Sequence, residues 1–159
     1  MGKIEQLNFQ ETVQYFWQKL GAKAIMQLAA CADDRVTVRS VSCIMYEDAI
    51  MFKTDKNFDK TKLMLKSPNV AMCKYNINVE GTARDCGLVI DEPERKFEQL
   101  YAKLLDGSYN AYSHKDTEIL IEVKPKQVEI WDCDEDNYGF QIFIDFVAGT
   151  AVKQWYDEH

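Results

Sequence analysis

The sequence predicts a mainly β protein: an antiparallel barrel of six or seven strands with short flanking helices. Two observations lead to this fold class. Short strand-like runs follow one another at regular spacing, and acidic dipeptides of hairpin length, Asp33-Asp34 and Glu47-Asp48, separate several of them. Only short helical patterns stand between the runs. Short strands at regular spacing favour a closed barrel over a parallel sheet.

The first third of the chain is predicted to hold one helix and three strands. Gly21, which suits the end of a helix, follows apolar residues at helical spacing: Phe9, Val13, Phe16, Trp17 and Leu20. Residues 1–23 are therefore expected to form an N-terminal helix. The strands that follow are predicted over Ala24–Ala32, Val36–Tyr46 and Ala49–Thr54.

The remaining elements alternate between strands and short helices. A helix is predicted over about Lys60–Lys66, and Ser67-Pro68 ends it. Two strands follow, Asn69–Tyr75 and Ile77–Ile90, and Gly81 is expected to be a bulge or a point of close approach. Later elements are predicted as a helix over Glu94–Leu105, strands over Ile119–Val123, Val128–Trp131 and Phe140–Phe146, and a C-terminal extension over residues 138–159 whose role the sequence leaves open.

Size and composition indicate one domain over residues 1–159. The net charge of −7 makes the chain a poor general nucleic-acid binder, since phosphate neutralisation needs a broad basic surface. We find no apolar signal segment and no apolar run of membrane-spanning length, so we expect a cytoplasmic protein without a membrane partner. Most of the five cysteines, which include no C-x-x-C pair, are expected to be buried and reduced, and no metal site is predicted.

Lysine is unusually concentrated between positions 53 and 66 of this acidic chain. Five lysines stand there against two aspartates, across the junction of a predicted strand and a predicted helix. A helix N-terminus presents unpaired N–H groups and the positive end of the helix dipole, so basic residues beside it suit a phosphate. The alternative interpretation is a solvated helix face, which is what most charge runs are.

Five short motifs occur in a fixed order and cover roughly residues 24–131. They are Val36-Thr37-Val38-Arg39-Ser40-Val41, Phe52-Lys53-Thr54, a lysine-bearing helix ending in Ser67-Pro68-Asn69-Val70, Val79-Glu80-Gly81, and Pro125-Lys126-Gln127-Val128-Glu129-Ile130-Trp131. In this order and spacing the chain resembles the pyridoxamine 5'-phosphate oxidase-like FMN-binding split barrels, in their general-stress-protein-like branch. The resemblance implies a Greek-key split barrel and a homodimer that holds FMN at its subunit interface.

The resemblance also implies which residues bind the cofactor. Arg39, in one motif with Ser40 and Val41, matches the arginine that reaches the flavin and its phosphate, and a planar guanidinium suits either group. The alternative for Arg39 is an ordinary salt bridge on a strand. Lys53 and Thr54 match the pair at a strand end where the threonine backbone and hydroxyl approach the cofactor.

Three lysines are candidates for contact with the flavin phosphate. Lys60 matches the lysine of the family's Arg-Lys pair, whereas Asp59 stands in place of the arginine and is expected to cap the helix instead. Lys56 and Lys62 match the lysine spacing of the general-stress-protein type. The resemblance therefore implies a phosphate site built from some of these three lysines.

Two residues outside the lysine segment complete the implied site. Asn76 matches an amide that hydrogen-bonds the flavin ring, and Trp131 matches a tryptophan that closes over the cofactor from the neighbouring subunit. The ordinary alternatives are a turn asparagine and a core or interface aromatic residue.

One departure from the family excludes the vitamin-oxidase activity itself. True pyridoxamine 5'-phosphate oxidases carry an Arg-x-His stretch that holds the phosphorylated substrate, and residues 137–141 contain neither arginine nor histidine. A phosphorylated substrate needs cations, and the acidic residues at positions 132, 134, 135 and 136 should repel it.

The resulting prediction is a flavin-dependent oxidoreductase that acts on an unknown small molecule, with a donor such as NADH or NADPH. The flavin would carry the redox chemistry. The alternatives are a module that binds flavin or another phosphorylated ligand without turnover, and a structural dimer that has no cofactor. A haem protein is a further alternative, with His114 as the axial ligand.

Overall fold

The computed structural model of the chain describes residues 2–107 and 116–156. Nine strands lie in these residues: β1 (Ile4–Leu7), β2 (Lys23–Ala32), β3 (Arg35–Tyr46), β4 (Ala49–Asp55), β5 (Asn69–Lys74), β6 (Ile77–Leu88), β7 (Glu118–Cys133), β8 (Gly139–Asp145) and β9 (Thr150–Trp155). The α-helices there are α1 (Phe9–Leu20), α2 (Asp59–Lys66) and α3 (Lys96–Leu104), and short 3-10 turns at Val89–Asp91 and Pro93–Arg95 precede α3.

Six of the strands close into an antiparallel barrel. The order around the barrel is β7-β4-β3-β2-β5-β6, and β6 pairs with β7 to complete the circle. Strands β8, β9 and β1 extend the sheet from the second half of β7. The prediction of a mainly β, six-stranded antiparallel barrel is therefore confirmed.

The apolar side chains form two clusters on the two sides of β4. Phe52 packs in the barrel interior with Phe16 of α1, whereas Met51, one residue earlier, packs beneath α3 against Tyr101. This alternation follows from the strand geometry, because successive side chains point to opposite faces. None of the helices in the described ranges is long and apolar enough to cross a membrane.

The prediction of two strands in residues 119–131 is wrong, because β7 is one continuous strand of 16 residues. Pro125 lies inside it, although proline cannot donate a ladder hydrogen bond. The pairing with β6 shifts there: Glu80 lies opposite Gln127, and Gly81 lies opposite Pro125. This bulge accommodates the proline, so it does not end the strand.

The chain termini also differ from the prediction. Residues 1–23 were expected to be a helix alone, but β1 precedes α1 and pairs with β9, with Ile4 opposite Gln154. The helix itself is confirmed, with Asn8 as its N-cap and Gly21, at φ +86°, as its C-cap. The C-terminal extension contains β8 and β9. A four-residue strand gives little sequence signal, because its stability comes from its distant partner.

Two smaller predictions are also wrong. Phe58, not Asp59, is the N-cap of α2, and it provides no side-chain hydrogen bond, while Asp59 lies in the first turn. Three of the five cysteines are exposed, namely Cys31, Cys86 and Cys133, so burial does not hold for most of them.

Gly81 marks a close approach between β6 and β7, as predicted. A Cβ atom at this position would lie 2.6 Å from the backbone oxygen of Lys124 and 2.9 Å from Val123 Cγ1. Backbone atoms of the paired strand cannot move aside without disturbing the ladder. The bulge and the glycine therefore form one packing unit.

We expect Gly81→Ala to lower the free energy of unfolding by about 1–3 kcal/mol, because the added methyl group overpacks the β6–β7 contact. Urea denaturation of both forms measures the effect. Gly107→Ala is the matched control, since a Cβ there meets no atom within 4 Å. Equal stability of the Gly81 and Gly107 variants would contradict this account of the bulge.

Candidate functional site

The barrel wall is open between β3 and β4. In the described part of the chain, β3 pairs with β2 over Arg35–Ile44 but with β4 only over Ile44–Tyr46. The first part of β3 and the end of β4 therefore separate, and α2 lies across the gap. This gap is the candidate site.

Side chains from four elements meet in a narrow cleft inside the gap. Its apolar surface comes from Leu28 of β2, Val41 of β3 and Phe52 of β4. Its polar side chains are Thr37, Arg39, Thr54, Lys60 and Thr61. The fold thus brings together Arg39, Thr54 and Lys60, three residues that lie in separate motifs of the sequence.

A wider cavity of about 330 Å³ adjoins this cleft on the outer side. Thr37, Arg39 and Lys60 line both spaces, and the outer cavity adds Arg35 from the start of β3 together with Phe58 and Asp59 from the start of α2. The site is therefore apolar at its inner end and basic at its mouth.

A pair of buried hydroxyl groups fastens α2 to the end of β4. Thr54 Oγ1 lies 2.9 Å from Thr61 Oγ1, and Thr61 Oγ1 donates a 2.8 Å hydrogen bond to the backbone oxygen of Asp55. A hydroxyl group has one proton, so Thr54 must be the donor in the contact between the two threonines. The Thr54 hydroxyl can therefore accept a hydrogen bond from a ligand but has no second proton to donate.

The three cations at the mouth form no ion pair with any described residue. Within residues 2–107 and 116–156, Arg35, Arg39 and Lys60 have no carboxylate within ion-pair distance, and Asp59 is the one acid that lines the outer cavity. Burial of the ammonium group, together with the charge of Arg39, lowers the pKa of Lys60 below the usual value for a lysine. Three positive side chains thus line a cavity to which the described residues contribute one carboxylate, so a net positive charge of +2 remains.

Lys53 lies on the opposite face of β4 from Thr54. Its ammonium group is 2.8 Å from Glu118 Oε2 and 5.1 Å from the ring centre of Tyr101, beneath α3. The cause is strand alternation, since neighbouring residues point to opposite sides of the sheet. This lysine is held by a local ion pair and does not border the cleft.

The other predicted residues of this region take different positions. Val41 borders the cleft, whereas Ser40 points to the exposed outer face of β3. Lys56 and Lys62 are exposed and line neither the cleft nor the outer cavity. Lys60 is thus the one lysine of the predicted three that enters the site.

Asn76 and Trp131 lie together, away from the cleft of their own chain. The Asn76 side chain donates to the backbone oxygen of Trp131, and the Trp131 backbone N–H donates to Asn76 O at 3.0 Å. The Trp131 ring stacks on Tyr156, with ring centres 4.7 Å apart, and its Nε1 donates to Glu129 at 2.6 Å. Trp131 keeps 43% of its surface exposed.

Sequence reasoning missed several residues of the site: Arg35, Thr37, Phe58 and Thr61. A signal for two of them was present, because Arg35 and Thr37 alternate with Arg39 on one face of a strand. His114, the haem-ligand alternative, lies outside the described residues. No group of three or more potential metal ligands forms within them.

No family model matches the sequence, and no curated protein matches it. Solved structures do share its fold. PhzG from Burkholderia lata 383, in complex with tetrahydrophenazine-1-carboxylic acid, has a TM-score of 0.62 at 12% identity, over 95% of this chain and 93% of that one. A pyridoxamine 5'-phosphate oxidase-related, FMN binding protein from Nostoc punctiforme PCC 73102 has a TM-score of 0.58 at 13% identity, over 93% and 95%. General Stress Protein 26 from Bacillus anthracis has a TM-score of 0.54 at 18% identity, over 77% and 92%.

At these identities the likeness concerns the fold. The chain has the split-barrel fold of the pyridoxamine 5'-phosphate oxidase-like and general stress protein 26 structures. These are the proteins that the five sequence motifs resembled, so the fold predicted from that resemblance is confirmed.

Proposed function

We propose that this protein binds FMN in the cleft between β3, β4 and α2 and acts as a flavin-dependent oxidoreductase on a small molecule. The observation that carries the proposal is the convergence of three cations and one carboxylate, a net charge of +2, at the mouth of an apolar cleft in a chain of net charge −7. One solved structure of the same fold is an FMN binding protein, which supports the choice of flavin.

The residues present fit such a cofactor. Arg39 and Lys60 would hold the phosphate, because a guanidinium and an ammonium form charge-assisted hydrogen bonds to phosphate oxygens. Thr54 would accept a hydrogen bond at the edge of the inner cleft. That cleft, with a volume of about 10 Å³, is too small for the flavin ring, so the ring would lie outside it, toward the proposed subunit interface. When bound, FMN supplies the hydride and electron chemistry, while the protein supplies position and electrostatics.

A second candidate function is flavin binding without turnover. The narrow cleft favours it, since among the described residues no carboxylate, histidine or cysteine side chain lines that space. Reduction of the bound flavin by NADH or NADPH, followed by rapid reoxidation by a small-molecule acceptor, distinguishes an oxidoreductase from a carrier or sensor. Bound flavin that no nicotinamide reduces would favour the binding module.

We expect the purified protein to bind FMN and Lys60→Gln to raise its dissociation constant about tenfold or more, because a charge-assisted hydrogen bond to the phosphate is lost. Flavin fluorescence titration measures the constant. Lys62→Gln is the matched control on the same helix, and its expected change is below about threefold, since screening weakens exposed charges.

Two outcomes would contradict this placement. If the wild-type protein binds no FMN, the proposed function is wrong. Equal losses of FMN affinity in the Lys60 and Lys62 variants would show that the lysines attract the phosphate only through their general positive charge and that Lys60 does not contact it.

We also propose that the protein is a homodimer with the cofactor at its interface. The outer face of β2 and β3 exposes Ile25, Val36 and Val38 by 63%, 70% and 67%. Neighbouring exposed apolar side chains of this kind mark interaction surfaces. Trp131 lies on the same face of the continuous sheet, which supports its approach to a partner's cleft across that surface.

We expect Val38→Glu to shift the protein from dimer to monomer, because the charge would be buried without a partner at the interface. Sedimentation velocity measures the change at several protein concentrations. Tyr15→Glu, on the exposed side of α1, is the control and should leave the dimer intact. A monomeric wild type, or a dimer that Val38→Glu does not weaken, would refute the interface.

The setting of this function is also a proposal. Exposed thiols at Cys31, Cys86 and Cys133 suit a reducing compartment, so we propose a cytoplasmic location. The excess negative charge lies in residues 129–159, which hold eight acidic residues and one lysine, while residues 1–128 are balanced. A net charge of −7 without a broad basic surface suits small-molecule partners better than nucleic acid or an anionic membrane surface.

A further inference from the structure

We infer that Arg35 is a ligand-binding residue of the phosphate site. It supplies a positive charge in place of the arginine for which this chain has Asp59. The inference rests on the proposed function, because it concerns the anion held by that same site. In the resembled family an arginine precedes the lysine at the start of the helix, and this chain has Asp59 there. The structure brings a different arginine to the same cavity.

The position of Arg35 follows from the register of β3. Arg35, Thr37 and Arg39 are alternate residues of one strand, so their side chains share a face. Two residues of strand advance about 6.6 Å, which places the Cα atoms of Arg35 and Arg39 about 13 Å apart along the rim. The outer cavity lies between them, with Lys60 of α2 on its other side.

The local charges match a phosphate monoester only when Arg35 is counted. Arg35, Arg39 and Lys60 are positive and Asp59 is negative, so the lining of the outer cavity has a net charge of +2. A phosphate monoester carries about −1.5 to −2 at neutral pH. Without Arg35 the same lining would leave about one negative charge of a bound phosphate without a counter-charge.

Arg35 is also kept available for a ligand. The nearest acidic turn, Asp33-Asp34, could compete for its guanidinium, but the Asp33 carboxylate pairs with Lys66 of α2. The Arg35 side chain forms no ion pair with a described residue, and the neighbouring Asp34 is not paired with it. The Lys66–Asp33 pair links the β2–β3 turn to α2 at the surface, and because both side chains are exposed it adds little stability.

The experiment compares Arg35→Gln, Arg35→Lys and the double variant Arg35→Gln/Asp59→Arg with wild type. FMN and riboflavin are titrated against each protein, and inorganic phosphate is tested as a competitor of FMN. Arg84→Gln is the control for loss of an arginine, because Arg84 is exposed and pairs with Glu122 on the barrel wall. Thermal melting of each variant checks that the fold is unchanged.

We expect Arg35→Gln to raise the dissociation constant of FMN about tenfold or more and to leave that of riboflavin unchanged, since riboflavin lacks the phosphate. Arg35→Lys should recover part of the loss, because it restores charge without the planar fork. Adding Asp59→Arg to Arg35→Gln should recover most of the lost FMN affinity, since the new arginine returns a cation to the outer cavity from the α2 side.

Several results would overturn the inference. Equal FMN affinity in Arg35→Gln and Arg84→Gln would show that Arg35 does not touch the anion. Equal losses for FMN and riboflavin would show a structural role. Failure of the proposed function would give a different result, because the wild-type protein would then bind neither FMN nor riboflavin. If that protein still bound inorganic phosphate, and Arg35→Gln abolished this binding, the site would be an anion site for another ligand.

Discussion

The short pairing between β3 and β4 is the constraint on which the rest of the site depends. These strands are joined at only three positions near their hairpin, in the described part of the chain, and then diverge. The divergence opens the barrel wall, and α2 enters the opening. The buried Thr54–Thr61 hydroxyl pair attaches the first part of that helix to β4, and the exposed Lys66–Asp33 ion pair is a weaker contact at its other end. Because of this arrangement, residues from four separate elements face one cleft.

The balance of charge separates the site from the rest of this acidic protein. Some cations elsewhere have a carboxylate partner: Lys53 pairs with Glu118, Lys19 with Asp132 and Lys96 with Glu47. Unpaired lysines of the described residues such as Lys56 and Lys62 are separately exposed to solvent and do not line one cavity. At the mouth of the cleft Arg35, Arg39 and Lys60 lie near one another without such partners among the described residues. Burial of the Lys60 ammonium group, and after it the charge of Arg39, lowers the pKa of Lys60, because both disfavour the charged form. An anionic ligand would offset this lowering.

Much of the fold could be predicted from the sequence, because hydrophobic period and turn residues are local signals. These signals gave α1, α2 and five of the barrel strands to within a residue or two at most ends. These local signals failed where pairing with a strand distant in the sequence determines the structure. Four residues of β1 form a strand only because β9 lies beside them, and β7 continues through Pro125 only because a bulge in its pairing with β6 accommodates the ring.

The residues of the site could likewise be predicted only in part. Arg39, Thr54 and Lys60 were identified from motif order, and they do share one cleft. Lys53 was grouped with Thr54 although adjacent residues of a strand point to opposite faces, so alternation alone predicts its separation. Arg35 was missed for another reason. Alternation places Arg35 on the same strand face as Arg39, but only the position of α2 across the gap shows that this end of β3 borders the site, and sequence spacing does not give that position.

The central claim is that the unpaired cations at the mouth of the cleft hold a phosphate dianion. Phosphorus-31 NMR of FMN bound to the wild-type protein tests this claim. The chemical shift of the phosphate is measured from neutral to acidic pH to follow its protonation. The dianion of a free phosphate monoester takes up one proton near its second pKa of about 6. The account predicts that the bound phosphate stays dianionic well below that pH, because nearby positive charges favour its charged form. A bound phosphate that titrates like free FMN would contradict the account.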